Sequence, residues 1–357
     1  LYGGYRGGPA YYIHDFLAKG RRKSLIAVLF AISGLICWCG ISQVISNSVS
    51  SAFYNAFSVP PLYTTVALVA VSAVIVLRKH ATVKVLDVLV PIMAVIYVLT
   101  VLVLIVVNFV RIPWFFSAVF TQAFQPAAVF GGAFGVALAQ GVKRGLMSNE
   151  AGQGTITMPA AASDAKHPCD QGCVQALGVF LDTIVICTLT GFVVIMGRVW
   201  LTNGADAWFE MYKLPRFLAS CAELTPGTAF NSAVTLLVTL CFGLFAFTCL
   251  MGFMSFTEIC ANRISQKKAF INVIRVLCLV VISFGVVTDI AGMDLASLWN
   301  LSDFANILIA LCNLPLLYLG FHYVKRATRH FESNDGTPFT SSVIGMDVPV
   351  WDEKARE

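Results

Sequence analysis

The sequence predicts an all-α polytopic membrane protein, and three observations carry that prediction. Only 12% of the 357 residues are charged while 58% are hydrophobic, whereas soluble domains carry about a quarter of their residues as Asp, Glu, Lys or Arg. A mean hydropathy of +0.79 leaves too little polar surface to cover a globule in water. It also excludes disorder, which belongs to apolar-poor, charge-rich chains. Apolar runs long enough to cross a bilayer, roughly 20 residues for about 30 Å of hydrocarbon, recur from one end of the chain to the other.

Residues 1–23 form a basic, polar segment. Span A covers about 24–45 and is uncharged from Ser24 onward; span B, 61–77, is short but uncharged. Span C runs 85–107 with Asp87 near its start, and the uncharged stretch D follows from Ile112 to Val142. Span E is 172–197 and contains Asp182, and span F lies within 224–257. Spans G and H run about 269–290 and 298–321, and residues 322–357 form a tail.

Eight spans place both ends on one side, and the basic residues test that count. Of the 24 lysines and arginines, only Arg111, Arg198, Lys213 and Arg216 fall on the opposite side. The excess of positive charge marks the cytoplasmic side, which puts both termini in the cytoplasm. The net charge of +5 does not imply a nucleic-acid partner. That would need a basic face on a soluble domain, and here the basic residues sit in short clusters between apolar runs.

Stretch D is the irregular element. Its 31 uncharged residues would measure about 46 Å as a helix, too long for one straight span. Pro126, Gly131, Gly132 and Gly135 sit in its middle. Proline removes a backbone donor, and glycine permits close approach or non-helical dihedrals. Two readings follow: a long tilted helix with glycines at packing positions, or a helix broken near the midplane whose freed backbone lines a cavity.

The polar chemistry excludes familiar enzyme classes. Most of the 11 cysteines lie inside apolar runs, where they behave as small hydrophobes. Cys169 and Cys173 have no histidine at zinc-ligand spacing, and no nucleophile–base pair or metal constellation stands out. No metal site and no enzyme activity are expected.

The stretch Gly131-Gly132-Ala133-Phe134-Gly135, followed by Gln140-Gly-Val-Lys143-Arg144-Gly-Leu-Met-Ser148-Asn149-Glu150-Ala-Gly152-Gln-Gly154, resembles the hallmark of the sodium:alanine symporter family (alanine or glycine:cation symporters). Further similarity lies in Tyr5–Ile13, His167-Pro168 with Gln171-Gly172 and Gln175, Leu181-Asp182-Thr183, Phe245–Thr248 and Trp299–Asp303. The resemblance implies a leucine-transporter-type inverted-repeat fold with two five-helix repeats, the first helix of each broken at the substrate. The eight spans then correspond to core helices three to ten of ten, the N-terminal two not being represented. Residues 24–107 would be the last three helices of repeat one, and 112–321 the five helices of repeat two with D as its broken first helix.

By the same resemblance the protein is a secondary symporter of the plasma (inner) membrane. It would import a small neutral amino acid, alanine or glycine, with co-transported sodium by alternating access. Gln125, Phe130, Gly131, Gly132 and Phe134 would bind the substrate. Thr248 and Cys249 would hold the cation, although a thiol is a poor ligand for a hard ion and a hydroxyl is common at that position in the family. Asn149, Glu150 and Asp182 would gate or couple, since an acid within a membrane span is a functional candidate by default. Two alternatives stay open: proton coupling through Asp182 or Glu150, and an amino-acid sensor or channel on the same scaffold.

Overall fold

The computed structural model describes residues 7–17, 24–77, 81–124, 132–199, 214–290, 296–333 and 336–354. Every regular element among them is helical. In chain order these include α1 (Pro9–Leu17), α2 (Leu25–Phe57), α3 (Pro61–Leu77), α4 (Ala81–Val107), α5 (Ile112–Ala123) and α6 (Gly132–Asn149). They continue with α7 (Pro168–Gly197), α8 (Leu214–Leu224), α9 (Thr228–Ile264), α10 (Lys268–Ile290) and α11 (Ala296–Ser333).

Six of these, α2, α4, α7, α9, α10 and α11, are long and apolar enough to cross a membrane. The helices at spans B and D are shorter, apolar over Pro61–Val74 and Phe109–Thr121. Where one long or broken helix was expected at D, two helices are described, ending at Ala123 and starting at Gly132. Gln125, Pro126, Phe130 and Gly131 fall outside the described residues.

Helix α2 is the axis of the bundle, and it runs twelve residues beyond the expected end of span A. Its N-terminus is capped by Ser24, whose hydroxyl accepts the Ala27 N–H at 3.4 Å. It ends where Ser58 turns left-handed (φ 55°) and donates its N–H to Tyr54 O at 2.8 Å. Pro60 and Pro61 follow, and proline cannot continue a helix. Because lipid offers no hydrophobic drive between helices, small residues that allow close approach hold membrane bundles together. Gly40 faces Ser302 of α11 so closely that a Cβ would overlap its hydroxyl. On α10, a Cβ at Gly285 would lie 2.6 Å from Ser46 Oγ. Ser46 donates to Ile282 O at 2.7 Å and Asn47 Nδ2 to Gly285 O at 3.2 Å. The main apolar cluster gathers at this axis, where Trp38 packs on Phe256 of α9 with ring centroids 5.6 Å apart.

Large apolar side chains face outward on α4 (Leu99, Val103, Val106) and α10 (Val273, Val276, Val280). A continuous exposed apolar surface of this kind marks a face that meets something other than water. The chain is a multi-pass membrane protein. At one end of the bundle, Arg111 donates to Met196 O at 2.9 Å, and Arg198 stacks over Trp114 at 3.7 Å. The first satisfies a carbonyl that the end of α7 leaves free. At the other end, residues 336–354 fold back onto α11 through a small cluster of Phe339, Ile344 and Trp351.

Candidate functional site

The end of α6, the turn after it and the middle of α7 form one polar seam. Helix α6 stops because Glu150 adopts φ 54°, a left-handed conformation that is uncommon outside glycine. Its carbonyl accepts the N–H groups of Gln153 at 3.1 Å and Gly154 at 3.0 Å. Gly154 needs to be glycine twice over: its φ is +78°, and a Cβ there would lie 2.7 Å from Tyr12 Oη and 2.8 Å from Asn313 Nδ2. Gln153 Nε2 donates to Leu146 O at 2.7 Å, closing the last turn of α6, and Asn313 of α11 donates to Gly152 O at 3.0 Å. Tyr12 of α1 donates to Asn313 Oδ1. The turn is thereby fixed from three elements.

Three consecutive residues of the hallmark reach outward from this turn. Ser148 donates to Asp182 Oδ2 at 2.7 Å, and Asn149 Nδ2 donates to Thr183 Oγ1 at 3.3 Å. Glu150 accepts the Thr155 hydroxyl at 2.5 Å. Burial pushes the Glu150 carboxyl up to about 7; the Thr155 hydrogen bond opposes that shift and the nearby Asp182 carboxylate adds to it. Asp182 and Thr183 lie in a π-helical turn, Leu181–Ile186, within α7. Such turns are rare, widen the helix locally and are frequent at functional sites. Sequence reasoning placed Asp182 on a span but gave no sign of the π-turn.

The expected site residues divide into groups. Asn149, Glu150 and Asp182 come together in the seam. Among the described residues Asp182 takes its bonds from Ser148 and Thr183, not from the lysine or arginine that a purely structural role would have suggested. Cys249 of α9 is exposed. Its neighbour Thr248 is buried and donates to Phe245 O at 2.8 Å, within its own helix. Gly132 is the first residue of α6 and Phe134 lies in its first turn. Gln125, Phe130 and Gly131 lie outside the described residues.

The sequence reading left a second acid unused. Asp303 of α11, 6% exposed, receives Arg144 at 2.9 and 2.6 Å, with Lys143 Nζ at 3.8 Å. The same rule that singled out Asp182, an acid inside an apolar span, applies to Asp303 and would have found it. No group of three or more His, Cys, Asp or Glu with metal-site geometry occurs among the described residues.

The sequence model of the sodium:alanine symporter family matches residues 2–341. A putative sodium/proton-dependent alanine carrier protein, YrbD of Bacillus subtilis, is 38% identical over 72% of this chain and 53% of its own length. The probable sodium/glutamine symporter GlnT of the same organism is 32% identical over 96% of this chain and 68% of its own length. The sodium/alanine symporter AgcS of Methanococcus maripaludis is 33% identical over 91% of this chain and 69% of its own length. The chain thus spans between about half and two thirds of the length of the curated relatives it matches. These relatives are transporters, not enzymes. An all-helical bundle and a matched region that takes in nearly every described helix lead to one assignment: the chain belongs to the sodium:alanine symporter family.

Proposed function

We propose that this protein is a sodium-coupled symporter that imports a small neutral amino acid, alanine or glycine, across the plasma membrane by alternating access. One observation carries the reading: the seam between α6 and α7 brings together oxygen ligands, from Ser148, Glu150, Asp182 and Thr183, at the C-terminal end of a glycine-led helix. Oxygen ligands suit a hard cation such as sodium. Asn149, Glu150 and Asp182 then couple cation occupancy to movement of α6 against α7, and Thr248 and Cys249 border the ion from α9.

The substrate lies at the start of α6, held by Gln125, Phe130, Gly131, Gly132 and Phe134. The first N–H groups of a helix lack intrahelical partners and carry partial positive charge. They suit an amino-acid carboxylate, while unwound carbonyls suit the cation. Helices α2–α4 stand as the last three of one repeat and α5–α11 supply the five spans of the second, eight spans in all, with both ends of the chain cytoplasmic. One sodium moving down 100 mV supplies about 2.3 kcal/mol, enough for about one and a half decades of accumulation at about 1.4 kcal/mol per decade.

Proton coupling is the second reading, favoured by the Glu150 carboxyl near 7 and by the printed name of the YrbD relative. Proteoliposomes separate the readings. An inward sodium gradient at equal pH drives accumulation of labelled alanine if sodium is the coupling ion. A pH gradient without sodium drives it if the proton is. Alanine binding with accumulation under neither gradient would mark a sensor and overturn both.

A further inference from the structure

The turn after α6 is attached to different helices on its two sides. Up to Glu150 it is tied to α7, by Ser148 on Asp182 at 2.7 Å and Asn149 on Thr183 at 3.3 Å. From Gly152 onward it is tied to α1 and α11. Asn313, fully buried in α11, donates to Gly152 O at 3.0 Å and accepts the Tyr12 hydroxyl of α1. Gly154 then passes so close to α1 that a Cβ there would lie 2.8 Å from Pro9 Cγ.

The contact with α1 continues past the turn, and glycines on the α1 side make room for it. A Cβ at Gly8 would lie 2.5 Å from Met158 Cγ, and one at Gly7 would lie 2.5 Å from Ala161 Cβ. Met158 belongs to the same buried apolar cluster as Ile13 of α1, Phe30 of α2 and Ile309 of α11. The far side of the turn is therefore bedded on α1 and α11, while its near side belongs to α7.

Glu150 stands where the two attachments meet, left-handed at φ 54°. A left-handed residue with a side chain is disfavoured against a right-handed one, and it persists only where its surroundings over-determine it. The Asn313–Gly152 bond supplies the first hold on the far side, two residues beyond Glu150. The amide of Asn313 has one end that accepts and one that donates. The Tyr12 hydroxyl claims the accepting end, which turns the donating end to Gly152 O.

We infer that Tyr12 and Asn313 are positioning residues for the cation seam: Tyr12 orients the Asn313 amide, Asn313 holds Gly152 O, and that hold keeps Glu150 in its left-handed conformation beside α7. Asn313 grips a backbone carbonyl, so it acts on the path of the chain and sets sodium affinity through Glu150. By the same bond a movement of α1 or α11 reaches the seam. The inference rests on the reading of the seam as a sodium site.

The test measures uptake of labelled alanine into proteoliposomes over a series of sodium concentrations. Tyr12→Phe keeps the ring and removes only the hydroxyl. It should raise the half-saturating sodium concentration by roughly threefold to tenfold, the worth of one such hydrogen bond, with the maximal rate at saturating sodium kept. A merely structural bond would instead reduce the amount of working protein, and with it the maximal rate, at an unchanged half-saturating sodium. That result, or no change in either quantity, overturns the positioning role. Asn313→Leu should show at least the same shift, and adding Tyr12→Phe to it should change that value by no more than about twofold, because Tyr12 acts through Asn313. Independent, multiplying effects would overturn that route; should Asn313→Leu fail to assemble, Tyr12→Phe alone decides. Sodium-dependent uptake by the wild type with an unshifted Tyr12→Phe refutes the positioning role alone, whereas wild-type uptake indifferent to sodium refutes the sodium reading and this inference together.

Discussion

Ser148, in the last turn of α6, donates its hydroxyl to Oδ2 of Asp182 at 2.7 Å across 34 residues of sequence. The acceptor stands in the π-turn of α7, so this bond ties the helix that follows the hallmark glycines to the one irregular turn in the next span. Asp182→Asn keeps an acceptor of the same shape and removes the charge. A hydrogen bond to a charged group contributes about 1.5–3 kcal/mol, so apparent sodium affinity in alanine uptake should fall by roughly tenfold or more. Because Asp182 is only half-buried, the thermal unfolding midpoint should barely move. Unchanged sodium activation in this variant would remove Asp182 from the coupling set.

The seam also predicts a pH dependence. The Glu150 carboxyl sits at about 7, raised mainly by burial, so it releases its proton as pH rises through neutrality. The site therefore gains a negative charge between about pH 6 and pH 8, and apparent sodium affinity should tighten over that window. Glu150→Gln should stay at the weak, acid-limit affinity at every pH. A wild-type profile that is flat from about pH 6 to pH 8 would separate Glu150 from the ion.

Between α9 and α10, Arg275 donates to both carboxylate oxygens of Glu258, at 2.8 and 2.7 Å, with side-chain exposures of 18% and 14%. Removing the carboxylate charge from such a part-buried pair weakens two charge-assisted hydrogen bonds, each contributing about 1.5–3 kcal/mol. Glu258→Gln should lower the unfolding midpoint in detergent by several degrees. The double change Glu258→Leu with Arg275→Met should recover most of that loss, since both charges are then removed together. Equal destabilisation by both would mean that packing, not charge, holds this contact.

Which parts were legible in the sequence follows from the physics of each signal. Apolar run length is a local property, so α2, α4, α7, α9, α10 and α11 all fall where spans were expected. The far end of α2 was missed because Ser46, Asn47 and Ser50 look like the start of a loop. They stay helical because α10 and α3 meet their polar groups: Ser46 donates to Ile282 O at 2.7 Å, Asn47 Nδ2 to Gly285 O at 3.2 Å, and Ser50 meets Thr65 at 2.7 Å. Those partners lie elsewhere in the chain and leave no local trace. The hallmark signalled Asn149 and Glu150, and the rule for membrane acids signalled Asp182, yet only the folded chain shows that they meet. The π-turn and the left-handed Glu150 are consequences of packing and had no sequence mark.

The folded-back tail should respond to acid. His167 caps α7 by accepting the Cys169 N–H on Nδ1 at 3.1 Å, which leaves its proton on Nε2, 3.3 Å from His330 Nδ1. His330 Nε2 in turn faces Thr337 Oγ1 at 3.1 Å, so the chain of bonds runs from α7 through α11 to the tail. Burial and the neighbouring His330 push His167 below its ordinary value of 6.5, against the opposing pull of Asp170. The folded state thus binds this proton less readily than the unfolded one. Its stabilisation is complete above about pH 6.5 and is lost as pH falls through the lowered value. Limited proteolysis should cut residues 336–354 faster at about pH 5 than at about pH 7.5, and His167→Asn, which keeps a cap but cannot titrate there, should abolish the difference. Equal cutting rates in the wild type at both pH values would contradict the latch.

The central claim is that sodium and amino acid cross together, and paired flux measurements test it most directly. Proteoliposomes containing the protein are loaded with potassium salt and given labelled sodium outside, with and without alanine. The account predicts that alanine accelerates sodium entry, that sodium accelerates alanine entry, and that the two increments keep a fixed ratio as either concentration is varied. Sodium entry that is indifferent to alanine, or alanine entry that is indifferent to sodium, would contradict it.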